Sequence, residues 1–163
     1  MERTDRNIRF FGKDGQDRLR AATVAVVGGG GGLGSHVCQQ LAYLGVGEIR
    51  PIDYEELDIT NLNRYVTAYA DDPIPGSRKV DLCERLIKHI DPSIAVWKVH
   101  APLRSAEAFQ AIQSADYVFG CLDNEGSRLV LTELCSAYAL PYVDLATEIF
   151  PGEVPNYGGR VCI

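Results

Sequence analysis

The chain has 163 residues, enough for one domain with a real core, and 46% hydrophobic with 23% charged residues is ordinary globular composition. A formal charge of −6 argues against general nucleic-acid binding, which calls for a basic face. No apolar run reaches the length of a signal-peptide core or a membrane span, so a cytoplasmic setting with no membrane contact is expected.

Residues 1–22 read as a polar, helical lead-in, locally basic through Arg3, Arg6, Arg9, Lys13, Arg18 and Arg20. A short apolar strand, 24–27, then empties into five consecutive glycines, and helical spacing of Val37, Leu41 and Leu44 follows until Gly45 and Gly47 stop it. Residues 48–53 form the next strand. Pro51 removes a ladder donor there and predicts a bulge or an unpaired position. A long polar connection, 54–76, is of a size more often functional than idle. Helix 77–90, strand 94–99, helix 105–114, strand 117–121, helix 126–138 and strand 141–145 complete the alternation, and the chain ends within a further strand-like run, 159–163. Strands alternating with helices specify an α/β fold with a mostly parallel sheet covered on both faces.

Residues 29–34 fit G-x-G-x-x-G, directly after a strand and opening a helix, and Asp53 follows 19 positions after Gly34. That is the arrangement of a nucleotide-binding βαβ unit, with phosphates at the helix N-terminus and an acid on the ribose. Gly29, Gly30, Gly31, Gly32, Leu33, Gly34 and Ser35 are therefore the candidate phosphate loop. Three further polar groups fall beyond strand ends: Asn61 and Arg64 in the long connection, Lys79 at the start of a helix, and Asp123 after the fourth strand. A nicotinamide-dependent oxidoreductase uses the glycines and the ribose acid, but has no general need for two cations and a second acid. An enzyme that cleaves ATP between its first and second phosphates needs all of them, the cations for departing pyrophosphate and a carboxylate for Mg2+. Asp123 also has a plainer reading as a helix cap. The five cysteines contain no C-x-x-C pair, which argues against a zinc site. Cys38, Cys83 and Cys135 sit in helical patterns as small core residues, and Cys162 also reads as core.

Taken in order, Arg6-Asn7-Ile8-Arg9-Phe10-Phe11-Gly12, Gly15-Gln16, Gly31-Gly32-Leu33-Gly34-Ser35, Gly45-Val46-Gly47, Asn61-Leu62-Asn63-Arg64, Lys79-Val80 and Asp123-Asn124 resemble the ThiF/MoeB/HesA superfamily over essentially the whole chain. These are the adenylating enzymes related to ubiquitin-activating enzymes. The resemblance implies a Rossmann-like adenylation domain spanning 1–163, a homodimer, and Mg2+-ATP-dependent adenylation of the C-terminal glycine of a ubiquitin-like or sulfur-carrier protein. It implies Asp53 as ribose ligand, Asn61 and Arg64 as phosphate contacts, Lys79 as the phosphate-binding lysine and Asp123 as the Mg2+ acid. Arg6 matches an arginine that reaches the ATP phosphates from the partner subunit. One branch of the superfamily instead activates a carboxylate on modified tRNA, for which the acidic charge gives no support. A non-catalytic partner domain of an adenylating heterodimer is the remaining alternative, and the presence of Arg64, Lys79 and Asp123 counts against it.

Two departures stand out. The family pattern V-G-x-G-G-L-G here carries one additional glycine, which predicts a loop bulged by a residue or a strand that ends later. The chain also stops before the region where related enzymes place a nucleophilic cysteine and paired zinc cysteines.

Overall fold

The computed structural model describes residues 3–150 and 156–163, so the first two residues of the lead-in lie outside the described part. The elements are α1 (Asp5–Ala21), β1 (Thr23–Val27), α2 (Gly32–Leu44), β2 (Glu48–Ile52), α3 (Lys79–Ile90), β3 (Ala95–Val96), α4 (Ala106–Gln113), β4 (Tyr117–Gly120), α5 (Glu125–Ala137), β5 (Tyr142–Phe150) and β6 (Asn156–Cys162). They build one sheet in the order β3-β2-β1-β4-β5-β6, parallel throughout except for β6, which runs antiparallel to β5. This is the Rossmann-type order, and the direction of strand succession reverses between β1 and β4.

Side chains alternate across a strand, so β1 feeds two cores at once. Val24 and Val26 pack with Cys38 and Leu41 of α2 and Cys83 and Ile87 of α3 on one face. Ala25 and Val27 pack with Ala108 and Ile112 of α4 and Leu131 and Cys135 of α5 on the other. The helices therefore cover both faces, as the alternating pattern requires.

One local expectation is resolved and two change. Of the two outcomes expected at Pro51, the structure has the unpaired position and not the bulge: β1 and β2 stay in continuous register through Val26 opposite Pro51. Its carbonyl accepts from the Val99 amide on the β3 side, and a residue's N and C=O point the same way in a strand, so the missing donor faces that side, where the pairing with β3 stops after Ile49 opposite Val96 and resumes only at Ile52 opposite Val99. Cys162 is exposed, because every residue of β6 is exposed and no helix among the described residues covers that strand. The 54–76 connection is also more built than a polar loop. A short 3-10 turn, Ile59–Asn61, is closed by a capping box between Asp58 and Asn61, and Leu57 and Tyr65 bury themselves with Leu82 of α3.

The loop glycines occupy a crowded point of the fold. A Cβ on Gly30 would lie 2.2 Å from Cβ of Lys79, and one on Gly34 would lie 2.1 Å from the Gly28 carbonyl oxygen. Gly28 itself has φ +76°, with the Cys121 backbone against it. Gly32 differs, since a Cβ there would meet Arg64 at an ordinary 3.4 Å. Gly34→Ala is expected to lower stability by about 1–3 kcal/mol, the usual cost of overpacking against backbone, whereas Gly32→Ala should leave the urea midpoint unchanged. Equal midpoints for the two variants would refute this packing.

Candidate functional site

A cleft of about 480 Å³ opens beyond the carboxyl ends of β1, β2 and β4, where an open sheet of this order places its ligands. Its floor is Gly28, Gly31, Gly32 and Leu33. One wall is Asp53, Tyr54, Arg64 and Tyr65, and the opposite wall is Asp123, Asn124, Ser127 and Arg128. Ala101 to Arg104 and Thr147 form its rim.

Four of the loop amides are engaged within the protein. Gly28 and Gly29 donate to the Ile52 carbonyl at 2.8 and 3.3 Å, Gly31 to the Gly28 carbonyl at 2.9 Å, and Gly30 to Oδ2 of Asp53 at 3.1 Å. The amides of Gly32, Leu33 and Gly34 open α2, and a helix start leaves such donors facing outward. The dipole of α2 adds partial positive charge at the same place. The extra glycine is thus absorbed in a tight turn, Gly28–Gly31, with β1 ending at Val27. Gly29, Gly30, Gly34 and Ser35 stand behind the cleft surface; Ser35 Oγ donates to the Gly32 carbonyl at 3.0 Å and steadies the first turn.

Asp53 is held at the end of β2 by two amides, Gly30 on Oδ2 and Glu55 on Oδ1 at 3.0 Å. Burial outweighs these bonds and raises its carboxyl above the usual aspartate range. The connection that follows leaves and returns through one neck: Lys79 N donates to the Glu55 carbonyl at 3.1 Å and Leu57 N to the Ser77 carbonyl at 2.8 Å. That neck brings Lys79 beside Glu55. Its ammonium donates to the Glu55 carboxylate and, at 2.8 Å, to the Tyr65 hydroxyl. Burial works against the charge on Lys79, yet the bonds to Glu55 and Tyr65 prevail and hold it above the ordinary lysine range. Lys79 itself is only 3% exposed and lies behind Tyr65 and Glu55.

Arg64 projects over the helix start, its Nη1 donating to the Thr60 carbonyl at 2.6 Å and to Asn63 Oδ1 at 3.1 Å. Asn61 is buried and turned into the loop, where its Oδ1 accepts from the Asp58 amide at 3.0 Å. It shapes the turn that presents Arg64. Arg6 lies exposed on α1, outside the lining of its own chain's cleft. Asp123 lies at the cleft edge with Asn124 Nδ2 at 3.3 Å, while Asn124, not Asp123, caps α5 by accepting from the Ser127 amide at 2.8 Å. Among the described residues no three His, Cys, Asp or Glu side chains cluster as a ready-made metal site. Cys121 borders the cleft, and burial pushes its thiol up to about 12, so it stays a neutral wall group.

Sequence reasoning missed the opposite wall's anchor. Arg128 is buried on α5, donating to Asp144 Oδ1 at 2.5 Å, to the Leu145 carbonyl at 3.2 Å and to the Leu122 carbonyl. Asp144 also accepts from the Tyr142 hydroxyl at 3.1 Å and from Arg160 at 3.2 Å. The signal was present in the helical register: Arg128, Leu131 and Cys135 share one buried stripe, and an arginine on such a stripe must have an internal partner. Glu55 and Tyr65 carry no comparable signal, because their role depends on the closure of the long connection.

The family model that matches residues 4–158 is that of the ThiF family. This chain belongs to it. A SAMP-activating enzyme E1 from Haloferax volcanii is 32% identical over 155 residues, covering 94% of this chain and 56% of that protein. A molybdopterin-synthase adenylyltransferase from Escherichia coli is 35% identical over 147 residues, covering 90% and 58%. The chain therefore spans just over half the length of these relatives. Among solved structures, Escherichia coli tRNA N6-threonylcarbamoyladenosine dehydratase superposes with a TM-score of 0.80 at 27% identity, over 87% of this chain and 59% of that one. Escherichia coli MccB, crystallised with ATP, superposes with a TM-score of 0.76 at 25% identity, over 93% and 48%. The ThiF-family fold expected from the motifs is the fold observed. No helix among the described residues is long and apolar enough to cross a membrane.

Arg128→Ala leaves Asp144 buried with its partner removed and is expected to cost about 3–5 kcal/mol in chemical denaturation. Arg160→Ala removes a solvent-screened partner and should leave the denaturation midpoint nearly unchanged. Comparable losses in the two variants would contradict the assignment of Arg128 as the anchor.

Proposed function

We propose that the cleft binds ATP and that the chain is the adenylation domain of an enzyme that activates the C-terminal carboxylate of a ubiquitin-like or sulfur-carrier protein. The observation that carries this reading is the convergence of a helix start, the Asp53 carboxylate and Arg64 on one wall, with Lys79 buried directly behind that wall and the Asp123 carboxylate exposed on the other. The relatives named for SAMP activation and molybdopterin-synthase adenylylation, and the neighbour crystallised with ATP, support the same class.

In this reading Asp53 accepts from the ribose hydroxyls and the first-turn amides of α2 receive the phosphates. The incoming carboxylate oxygen attacks the α-phosphorus in line, a new P–O bond forms, and the bond to the β-phosphate breaks. Pyrophosphate leaves with the electron pair and an acyl-adenylate remains. No protein nucleophile is needed; the protein orients the reactants and neutralises charge. Arg64 and Lys79 serve the departing phosphates. Arg6 of a second copy would add a third cation, which makes a homodimer part of the proposal. Asp123 suits Mg2+, which binds through one or two carboxylates together with phosphate oxygens and would neutralise charge on the triphosphate.

Exchange of labelled pyrophosphate into ATP, run with candidate ubiquitin-like and sulfur-carrier proteins, tests the reaction. Partner-dependent exchange is expected, and Asp123→Ala should abolish it without lowering the melting temperature. Exchange that survives Asp123→Ala removes that residue from the site, and NAD binding with no exchange for any partner overturns the reading. Nucleotide affinity should also fall on acidification. Asp53 works ionised and its pKa is raised, so affinity is complete well above that pKa and is lost as pH falls through it, before an ordinary aspartate near about 3.9 would titrate. Affinity that is flat to that pH would count against Asp53 as the ribose ligand.

A further inference from the structure

We infer that Tyr65 is the positioning residue for both cations that serve the phosphates, so that its ring and its hydroxyl do separate work. The inference rests on the ATP reading above and concerns a residue that touches Arg64 and Lys79 rather than the reacting atoms.

Tyr65 directly follows Arg64, and its amide donates to the Asn61 carbonyl at 3.1 Å, the same carbonyl that the Arg64 amide reaches at 3.1 Å. The turn therefore fixes the two residues as a unit. The ring is 8% exposed, seated against Leu57 and Leu82, yet one part of it borders the cleft. The Arg64 guanidinium carbon lies 5.2 Å from the ring centroid, within reach of the ring's quadrupole. Lys79 meets a different part of the same side chain. Its Nζ is 2.8 Å from the hydroxyl oxygen and 4.9 Å from the centroid, which puts the ammonium at the hydroxyl edge rather than over the ring face.

A lysine ammonium has three donors. Glu55 and Tyr65 engage two of them, and both hold the ammonium in place directly behind the cleft wall. Glu55 alone is a poor holder, since its side chain is 45% exposed and solvated while that of Lys79 is 4% exposed. A neutral hydroxyl supplies the fixed acceptor without cancelling the lysine's charge. The same phenol also gives Arg64 a flat surface that limits where its flexible stem can swing. A phenylalanine would serve Arg64 alone, and an aliphatic residue would serve neither.

The test is calorimetric binding of ATP and of AMP to the full chain, which reads the site without turnover. Tyr65→Phe should weaken ATP binding about tenfold while leaving AMP binding within about twofold, because in the ATP reading the two cations serve phosphates that AMP lacks. Tyr65→Leu should weaken ATP binding further. In a Lys79→Met background, Tyr65→Phe should have no effect on ATP, since the hydroxyl then has no ammonium to hold. A residue that is merely structural would show Tyr65→Phe silent, or ATP and AMP weakened together with a lowered melting temperature; either overturns the inference while the ATP reading stands. A parent chain that binds neither nucleotide overturns the ATP reading, and the inference with it.

Discussion

The tight turn from Gly28 to Gly31 is the constraint on which the site depends. It sits where β1 ends beside β2 and β4, with the Lys79 side chain and the Cys121 backbone pressed against it, and side chains at Gly28, Gly30 or Gly34 would force these elements apart. The close approach is what lets the Gly30 amide reach the Asp53 carboxylate and what aims the first turn of α2 into the cleft. Three features are fixed by one backbone path: the Asp53 carboxylate is oriented, the first turn of α2 opens to the cleft, and Lys79 is set directly behind it.

Charge in the cleft is arranged around that path. Asp53 is buried and restrained by amides, and Lys79 is buried and restrained by Glu55 and Tyr65. The more exposed charges, Arg64 and Asp123, stand at the cleft surface. In the proposed ATP site, the buried groups would set position and the exposed ones would stand where the phosphates arrive. On the far wall, Arg128 joins the Leu122 and Leu145 carbonyls to Asp144, so the loop bearing Asp123 is tied to β5 through a buried charge pair. A broken pair there would disturb the site through the fold, not through contact with a ligand.

Much of this was legible in the sequence, because the strong signals are local. The strand-glycine-helix succession, the short apolar run of β1 and the helical stripes give the sheet and its covering, and Asp53, Arg64 and Asp123 all fall on the cleft as their positions beyond strand ends require. What was not legible depends on distant closure. Pro51 signalled a bulge or an unpaired position, and only the assembled sheet shows that it is the second, on the side facing β3. Cys162 was apolar in pattern, yet β6 has no covering helix among the described residues. Asn61 was expected among phosphate contacts, and its carbonyl oxygen is turned inward to a capping box. The pairing of Lys79 with Glu55 and Tyr65 follows from a neck closed across more than twenty residues, which no local periodicity encodes.

A crystal structure of the full chain with ATP and magnesium is the direct test of the nucleotide site. The ribose hydroxyls are expected on Asp53 and the triphosphate over the amides of Gly32, Leu33 and Gly34, with Arg64 and Lys79 turned to its outer phosphates. A nucleotide seated outside this cleft, or one whose ribose leaves Asp53 untouched, would contradict the assignment.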